Sequence, residues 1–426
     1  MTRASAPRRS GDGILDPLPA GEHERVAAQR TGRRRALTLI FAALIGCNLA
    51  AALGVGLVEA RRALERTGSD GALAKAVALF QPTDTNIPAV DLPRVLLTRA
   101  WVHWDARWYA TIAKDGYWYV PDQQSPVAYF PAYPISIRAL GALGLNRFVA
   151  GVLITMAMGC AGLFLFNRWA THLLGERTAL RATGLFVVYP FAFFLFGAMY
   201  SDALYLCAAV GAFYALEKNK LAAAVLLGAV ATAARPVAPA IVIGLVARRI
   251  ELQYAAGERF GVKDLVPALA GVGLAAYMLF LQDRFGDALA FAHVQSAPGW
   301  DNLAGPQSYL KLRFWDLIVS KPTDSGTLLK AFHATIAISA IACAIPIWRR
   351  LSKGYAVYVA VAIGMPLLSS KDFMGLGRYT IAAFPVFAML AVLLEQRPRM
   401  RRAFIAVSAL AFLILSIAFG ADNQVA

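Results

Sequence analysis

The sequence predicts an all-α polytopic membrane protein, a bundle of about eleven transmembrane helices. Of its 426 residues, 58% are hydrophobic and only 16% are charged, and the mean hydropathy is +0.54. A soluble domain of this size has a lower apolar fraction. Long apolar runs recur along the chain, and Lys and Arg stand beside them.

Seven apolar runs approach the roughly 17 to 25 residues that a membrane-spanning helix needs. They are 36–58, 147–171, 179–197, 263–282, 327–347, 377–395 and 401–420. Four shorter or interrupted runs, 199–216, 219–234, 236–250 and 355–370, bring the prediction to eleven spans. The Arg235-Pro236 break lies either between two spans or within one broken helix, and the sequence leaves both possibilities open.

The formal charge of +16 is explained by topology. With a cytoplasmic N-terminus, the inner connections become 168–181, 217–220, 248–263, 348–354 and 396–402, and every one is basic. This orientation divides the chain into a disordered basic tail, 1–35, and a transmembrane domain, 36–426, with two long outer loops, 59–146 and 283–326. Nucleic acid is not an expected partner, because these cations are needed at the membrane surface.

The first outer loop contains the stretch VHWDARWYATIAKDGY, 102–117. The residues Trp101, Trp104, Trp108, Ile112 and Asp115 follow one another at spacings of three or four, which is typical of a helix lying at the membrane interface. Interfacial tryptophans are common at that depth, so the aromatic residues are expected to serve as anchors.

Asp105 needs a further explanation, because a carboxylate among tryptophans at the membrane surface loses hydration. One interpretation is an ion pair with Arg99 or Arg107. The other is a catalytic task, and the spacing does not decide between them.

Four more polar sites fall on the outer side of this topology. They are Tyr200-Ser201-Asp202, the isolated Arg235, Arg378-Tyr379, and the segment RFGDALAFAHVQSAPGW at 284–300. Each alone has an ordinary structural explanation, such as a helix cap for Asp202 or an arginine that reaches for the interface. Together they indicate a polar site on one side of the membrane.

Such a site suits transfer of a sugar from a lipid phosphate. Arginines bind phosphate through charge-assisted hydrogen bonds and stabilise the charge that develops as the sugar leaves. A carboxylate can accept the proton of an attacking hydroxyl. Nucleotide sugars are cytoplasmic, so an outward site needs a lipid-carried donor. The sequence has neither a Gly-rich phosphate loop nor a Cys/His cluster with metal spacing, so no cofactor and no metal are expected.

The stretch HWDARWYATIAKDGY, followed by AYFPAYPI, resembles the WD-x-x-WY-x-x-IA-x-x-GY and FFP-x-YP signature of PIG-V-like mannosyltransferases. YSDALYL, RFGDALAFAHVQSAPGW and GRYTIAAFPVFAML are similar to later motifs of the same family and occur in the same order. The resemblance runs from about residue 40 to 395. It implies a GT-C-type helical bundle, that is, a glycosyltransferase that uses a polyprenyl-phosphate sugar.

Carried over, the resemblance implies that Asp105 is the general base, with Trp104 and Arg107 as its near neighbours, and that Arg235 and Arg378 are candidates for binding phosphate. Asp202 is expected to be a second catalytic residue that positions either the base or the sugar hydroxyls. Further substrate-binding candidates are Trp104, Arg107, Tyr129, Tyr200, His293, Gln295 and Tyr379. The chain departs from the family pattern at one point: the family often has an R-S/T-x-G type sequence, whereas Arg235 is followed here by Pro-Val-Ala.

The expected reaction is therefore an inverting transfer of a sugar, mannose in the first instance, to a hydroxyl of a lipid-linked glycan, a glycolipid or a protein. A bacterial plasma membrane is favoured over the endoplasmic reticulum. A lipid or solute transporter is the alternative, but it needs polar residues at the membrane midplane and usually an internal repeat. A catalytically silent assembly subunit, with the motifs retained for packing, is a second alternative.

Overall fold

The computed structural model of the chain describes residues 20–67, 95–302 and 305–425. Residues 1–19 of the predicted tail and 68–94 of the first outer loop lie outside the described residues. In the described ranges the regular structure is helical throughout, and no strand occurs there. The prediction of an all-α protein is confirmed.

The α-helices of the described ranges are α1 (Ala20–Thr67), α2 (Leu96–Trp101), α3 (Ala106–Asp115), α4 (Ala132–Ala142), α5 (Arg147–Leu174), α6 (Glu176–Val187), α7 (Asp202–Glu217), α8 (Leu221–Thr232), α9 (Ala238–Ala255), α10 (Val272–Phe285), α11 (Ala290–His293), α12 (Pro306–Tyr309), α13 (Leu312–Ser320), α14 (Ser325–Ala342), α15 (Ala344–Arg350), α16 (Lys353–Ser369), α17 (Leu376–Tyr379), α18 (Pro385–Leu393) and α19 (Pro398–Gly420). Short 3₁₀ segments are Pro126–Ala128, Ala192–Leu195, Val262–Gly271 and Val294–Ser296.

Five helical segments of the described chain are long and apolar enough to cross a membrane. They are Thr31–Glu65, Arg147–Leu174, Val262–Phe285, Ser325–Arg350 and Pro398–Gly420. Two shorter apolar helices, α8 and α16, lie among them. The chain is therefore an integral membrane protein, as predicted, whereas the number of eleven spans stays a prediction.

The boundary of the first helix differs from the prediction. α1 begins at Ala20, so residues 20–35 of the predicted disordered tail are helical. Pro17 and Pro19 precede this start, and proline is tolerated before a helix but disrupts its interior. The following segment contains several Ala, Glu and Arg residues, which favour helix.

The Arg235-Pro236 break separates two helices. α8 ends at Thr232 and α9 begins at Ala238, and Pro236 cannot donate the backbone hydrogen bond that would continue a helix. The carbonyl of Ala233, freed by the break, accepts a 2.9 Å hydrogen bond from the N–H of Ala132 at the start of α4. The break thereby joins the bundle to the first outer loop.

The prediction of one continuous surface helix around residues 101–115 is wrong in two respects. α2 ends at Trp101 and α3 begins at Ala106, so a turn interrupts the stripe of spaced aromatic residues. Trp101 and Trp108 are only 1% and 5% exposed, so they pack inside the protein and do not anchor its surface. The Trp101 indole donates a 2.8 Å hydrogen bond to Asn48 on α1, which satisfies its polar group in the interior.

Candidate functional site

The turn between α2 and α3 presents Asp105. Trp104 has a φ of 53°, a left-handed conformation that strains a bulky residue. The Tyr200 hydroxyl bridges the turn: it accepts a hydrogen bond from the Asp105 N–H at 3.2 Å and donates one to the His103 carbonyl at 3.2 Å. His103 Nδ1 also lies 2.9 Å from Asp422 Oδ1, beyond the end of α19. The surrounding structure therefore holds a conformation that the chain would not adopt alone.

The Asp105 carboxylate lies between an arginine and a tyrosine. Its Oδ2 is 3.1 Å from Nη1 of Arg378, and its Oδ1 accepts a 3.1 Å hydrogen bond from the Tyr129 hydroxyl. Burial, and next the negative charge of Asp105, raises the pKa of Tyr129, so that this hydroxyl keeps its proton and remains a donor. The Asp105 side chain is still 31% exposed, which leaves it open to a reactant.

Neither of the neighbouring arginines pairs with Asp105. Arg99 forms an ion pair with Glu59 on α1. Arg107 forms no ion pair within the described ranges, and its Nε is buried there without a hydrogen-bond partner, as is Nε1 of Trp104. The partner is instead Arg378, which lies 273 positions away in sequence.

A second carboxylate connects the two arginines of the site. Asp202, 2% exposed, is the first residue of α7, and its Oδ1 forms an ion pair with Nη1 of Arg235. Its Oδ2 lies 3.8 Å from Nε of Arg378. The N-cap residue of this helix is Ser201, and the described residues include no hydrogen bond from a backbone N–H to the Asp202 side chain, so a capping role does not account for Asp202.

Aromatic rings enclose both guanidinium groups. Arg378 lies over Tyr200 at 5.0 Å and over Phe194 and Tyr379 at 5.3 Å, while Arg235 lies over Tyr379 at 5.0 Å. Such cation–π contacts are attractive and strengthen where water is excluded. Burial, together with the positive charge of Arg378, lowers the pKa of Arg235 to about 10. The two cations therefore repel each other at close range, and an anion would relieve that repulsion.

Asp105 and the two arginines lie in the wall of a large cavity of about 1510 Å³. Its charged lining consists of five cations, Arg235, Arg313, Lys330, Lys371 and Arg378, and two carboxylates, Asp105 and Asp372. The volume exceeds the ~300–1,000 Å³ usual for small-ligand pockets. A large cavity with a positive balance fits an extended substrate that carries phosphate.

The structure brings most predicted site residues to this cavity. Asp105, Tyr129, Arg235, Gln295, Arg378 and Tyr379 line it. Trp104, Arg107, Tyr200, Asp202 and His293 are not part of the lining. Tyr200 and Asp202 lie directly behind the lining residues and hold them, whereas His293 is an exposed residue paired with Asp287 at 2.7 Å.

Several lining residues were not predicted. The hydroxyl of Tyr109 on α3 lies 2.9 Å from that of Ser201, and Trp300 packs edge-on against Tyr129 at 6.1 Å. Lys330 lies 3.5 Å from Asp372. Lys330 is a cation within the predicted apolar run 327–347, and this unusual position could have identified it as a candidate site residue. In the described part of the chain, no group of three or more His, Cys, Asp or Glu residues could hold a metal ion.

The described chain thus combines apolar helices long enough to span a membrane with a cavity whose wall contains Asp105, Arg235 and Arg378. Residues 76–256 match the family model described as Mannosyltransferase (PIG-V). This match confirms the resemblance to PIG-V-like mannosyltransferases over that segment. The matched segment includes Asp105, Asp202 and Arg235, while Arg378 and the segment 284–300 lie beyond it.

Solved structures show more distant similarities. An oligosaccharyltransferase from Archaeoglobus fulgidus, complexed with Zn and sulfate, is 13% identical with a TM-score of 0.43, covering 74% of this chain and 48% of that chain. The same protein tethered with an acceptor peptide gives a TM-score of 0.45 at 13% identity, covering 90% and 55%. ArnT from Cupriavidus metallidurans, bound to undecaprenyl phosphate, gives 0.37 at 14% identity, covering 74% and 72%. The chain spans about half the length of the oligosaccharyltransferase chains, and these likenesses are too distant to assign a substrate. No curated protein matches the chain significantly.

Proposed function

We propose that the protein transfers mannose from a polyprenyl-phosphate donor to a hydroxyl acceptor by a single inverting displacement. One observation carries the proposal: a partly exposed carboxylate, Asp105, shares a cavity wall with two arginines. A base and a phosphate-binding group are then within reach of one sugar. The family match of residues 76–256 supports mannose as the sugar.

In the proposed step, the acceptor oxygen attacks C1 of the sugar and its proton passes to a carboxylate oxygen of Asp105. The bond between C1 and the phosphate oxygen breaks, and polyprenyl phosphate leaves with the bonding electron pair. Attack opposite the leaving group inverts the configuration at C1. Base catalysis of this type contributes ~10²- to 10⁴-fold.

The arginines stabilise the leaving phosphate in this proposal. Among the described residues, Arg378 makes a single hydrogen bond, from Nη1 to Asp105, so its other N–H groups remain for a ligand. Arg235 lines the same wall. Asp202 is assigned the task of fixing both cations from behind, because it lies within 3.8 Å of Arg378 Nε and pairs with Arg235.

The proposed setting is a bacterial plasma membrane, with a cytoplasmic N-terminus, eleven spans and the cavity facing outward. The acceptor is a lipid-linked glycan, a glycolipid or a secreted protein, and membrane lipids surround the bundle. Two outer loops, 59–146 and 283–326, supply cavity residues in this arrangement, including Asp105, Tyr129 and Trp300.

The test is transfer from polyprenyl-phosphomannose by the purified full chain in lipid nanodiscs. The wild type should release polyprenyl phosphate and form an inverted glycoside, and Asp105→Asn should lower turnover at least ~100-fold. Asp287→Asn is the matched control, because Asp287 pairs with exposed His293 outside the cavity lining. Full activity in Asp105→Asn would remove the base assignment. Movement of labelled lipid across vesicles without a glycoside product would favour a transporter.

A further inference from the structure

Gly377, the residue before Arg378, has both of its backbone polar groups bonded to buried side chains. The N–H of Gly377 donates a 2.8 Å hydrogen bond to Nδ1 of His333, on α14. The carbonyl of Gly377 accepts a 2.7 Å hydrogen bond from the hydroxyl of Tyr189. Both bonds are buried, so water does not compete for these backbone groups.

His333 can occupy only one protonation state in this arrangement. Because a backbone N–H always donates, Nδ1 must be the unprotonated acceptor. Nε2 lies 3.1 Å from the carbonyl oxygen of Val425, which can only accept, so Nε2 must carry the proton. The imidazole is therefore neutral with a fixed tautomer, and a doubly protonated ring would lose the bond to Gly377.

The ring of Phe191 completes the enclosure. It packs against the His333 ring at 4.6 Å between centroids. It also occupies the space beside Gly377: a Cβ added there would lie 2.2 Å from a Phe191 ring carbon. Residue 377 must therefore be glycine for the backbone to approach this closely.

We propose that His333 is a positioning residue for Arg378, fixing the Gly377–Arg378 backbone so that the guanidinium lies between Asp105 and Asp202. The assignment rests on the proposed function in so far as Arg378 binds the donor phosphate. A guanidinium displaced by ~1 Å loses much of its value to catalysis. His333 itself touches no reactant, since it is fully buried and absent from the cavity lining.

Two substitutions separate positioning from general stability. His333→Asn keeps an acceptor near the Nδ1 position and loses the bond to Val425. His333→Gln keeps a donor near the Nε2 position and loses the bond to Gly377. Each removes one hydrogen bond, so both variants should lose a similar amount of thermal stability. Only His333→Gln should lower kcat/KM for the polyprenyl-phosphate donor, by ~10- to 100-fold.

A double-mutant cycle with Arg378→Lys tests the route of the effect, since this variant retains a cation. If His333 acts through Arg378, then His333→Gln should change kcat/KM far less in the Arg378→Lys background than in the wild type. Additive losses would overturn the proposal, as would equal activity losses in the Asn and Gln variants.

Hydrogen exchange at the Gly377 amide gives a readout that does not depend on catalysis. His333→Asn should keep this amide protected, and His333→Gln should expose it. If the wild type transfers no sugar from a polyprenyl-phosphate donor, the proposed function fails. Hydrogen exchange at the Gly377 amide then still tests whether His333 holds the backbone before Arg378. Equal exchange in both variants would overturn the positioning role of His333.

Discussion

Helix α7 carries a buried carboxylate at each end, and the two ends behave differently. Asp202 is its first residue and Glu217 its last, about 22 Å apart along the helix axis. Each pairs with an arginine near α9: Asp202 with Arg235, and Glu217 with Arg248. The same ion-pair chemistry therefore occurs twice on one helix.

At the Glu217 end, all three guanidinium nitrogens of the arginine form hydrogen bonds. Arg248 binds both carboxylate oxygens of Glu217, at 2.7 and 3.1 Å, and binds Glu251 at 2.9 Å through its remaining nitrogen. Tyr355 donates a 2.6 Å hydrogen bond to Glu217, and Ser352 donates one to Glu251. A network that is satisfied in this way stabilises the fold and has no capacity for a ligand.

At the Asp202 end, one arginine has an unsatisfied donor, and the neighbouring charged groups line a cavity. Nε of Arg378 is buried without a hydrogen-bond partner among the described residues, and Oδ2 of Asp202 lies 3.8 Å from it. Asp105, the other carboxylate, is partly exposed. The number of unsatisfied donors, and not the presence of arginine and aspartate, therefore distinguishes the candidate site from a structural network.

The largest expected effect comes from removing one arginine at each end. Arg378→Gln should lower kcat/KM at least ~100-fold with little loss of stability, because Asp202 keeps Arg235 and Asp105 is partly solvated. Arg248→Gln leaves Glu217 without its cation, so it should lose ~3 kcal/mol of stability and keep its activity per folded molecule. Initial rates and thermal unfolding in one lipid mimetic measure both. Activity losses that simply follow stability in both variants would contradict the comparison.

A smaller effect is expected from Arg235→Lys, and it should depend on pH. Burial and Arg378 already lower the pKa of Arg235 to about 10, and lysine starts from a lower value of ~10.4. The lysine should therefore lose its charge as pH rises toward ~9, while the wild-type arginine stays charged.

The pH–rate profile of Arg235→Lys should consequently fall ~10-fold on its alkaline side relative to wild type. Arg249→Lys is the control, because Arg249 pairs with Asp264 at 3.1 Å away from the cavity, and its profile should match wild type. Parallel profiles for Arg235→Lys and wild type would show that the charge at 235 is not needed.

The smallest effect concerns two tyrosine hydroxyls. Tyr200→Phe removes the bridge across the strained turn and leaves the His103 carbonyl and the Asp105 N–H without it, at a cost of ~1–3 kcal/mol. Turnover should fall roughly five-fold, because the Asp105 carboxylate is then held less firmly in its orientation toward the acceptor. Tyr355→Phe, at the other end of α7, should cost similar stability and leave turnover unchanged. Equal turnover in both would contradict the role of the turn.

The sequence was sufficient to predict the helical membrane class and the polar residues that meet at the site. Both depend on local composition: long apolar runs require a membrane, and Asp105, Arg235 and Arg378 interrupt such surroundings at a cost that demands an explanation. Tyr129 followed from the family signature, and the structure places it against Asp105.

The pairing of these residues could not be predicted, because it depends on contacts between distant parts of the chain. Nothing local indicates that Asp105 pairs with Arg378 and not with Arg99 or Arg107. The periodic spacing of Trp101, Trp104 and Trp108 favours one helix, but the tertiary contacts of the turn override it. His333 likewise stands in an apolar run, and only the packing of Gly377 against it reveals its function.

The close packing of α1 and α19 affects how the protein is made. Gly54 and Gly420 let these helices touch through their backbones, since a Cβ at Gly54 would lie 2.1 Å from the Ile417 carbonyl oxygen. Asn48 of α1 and Asp422 after α19 then support the turn that carries Asp105. During synthesis, the ribosome translates α19 long after α1 and the turn between α2 and α3. The turn that carries Asp105 therefore lacks the contact between His103 and Asp422 until α19 has been translated and has packed against α1.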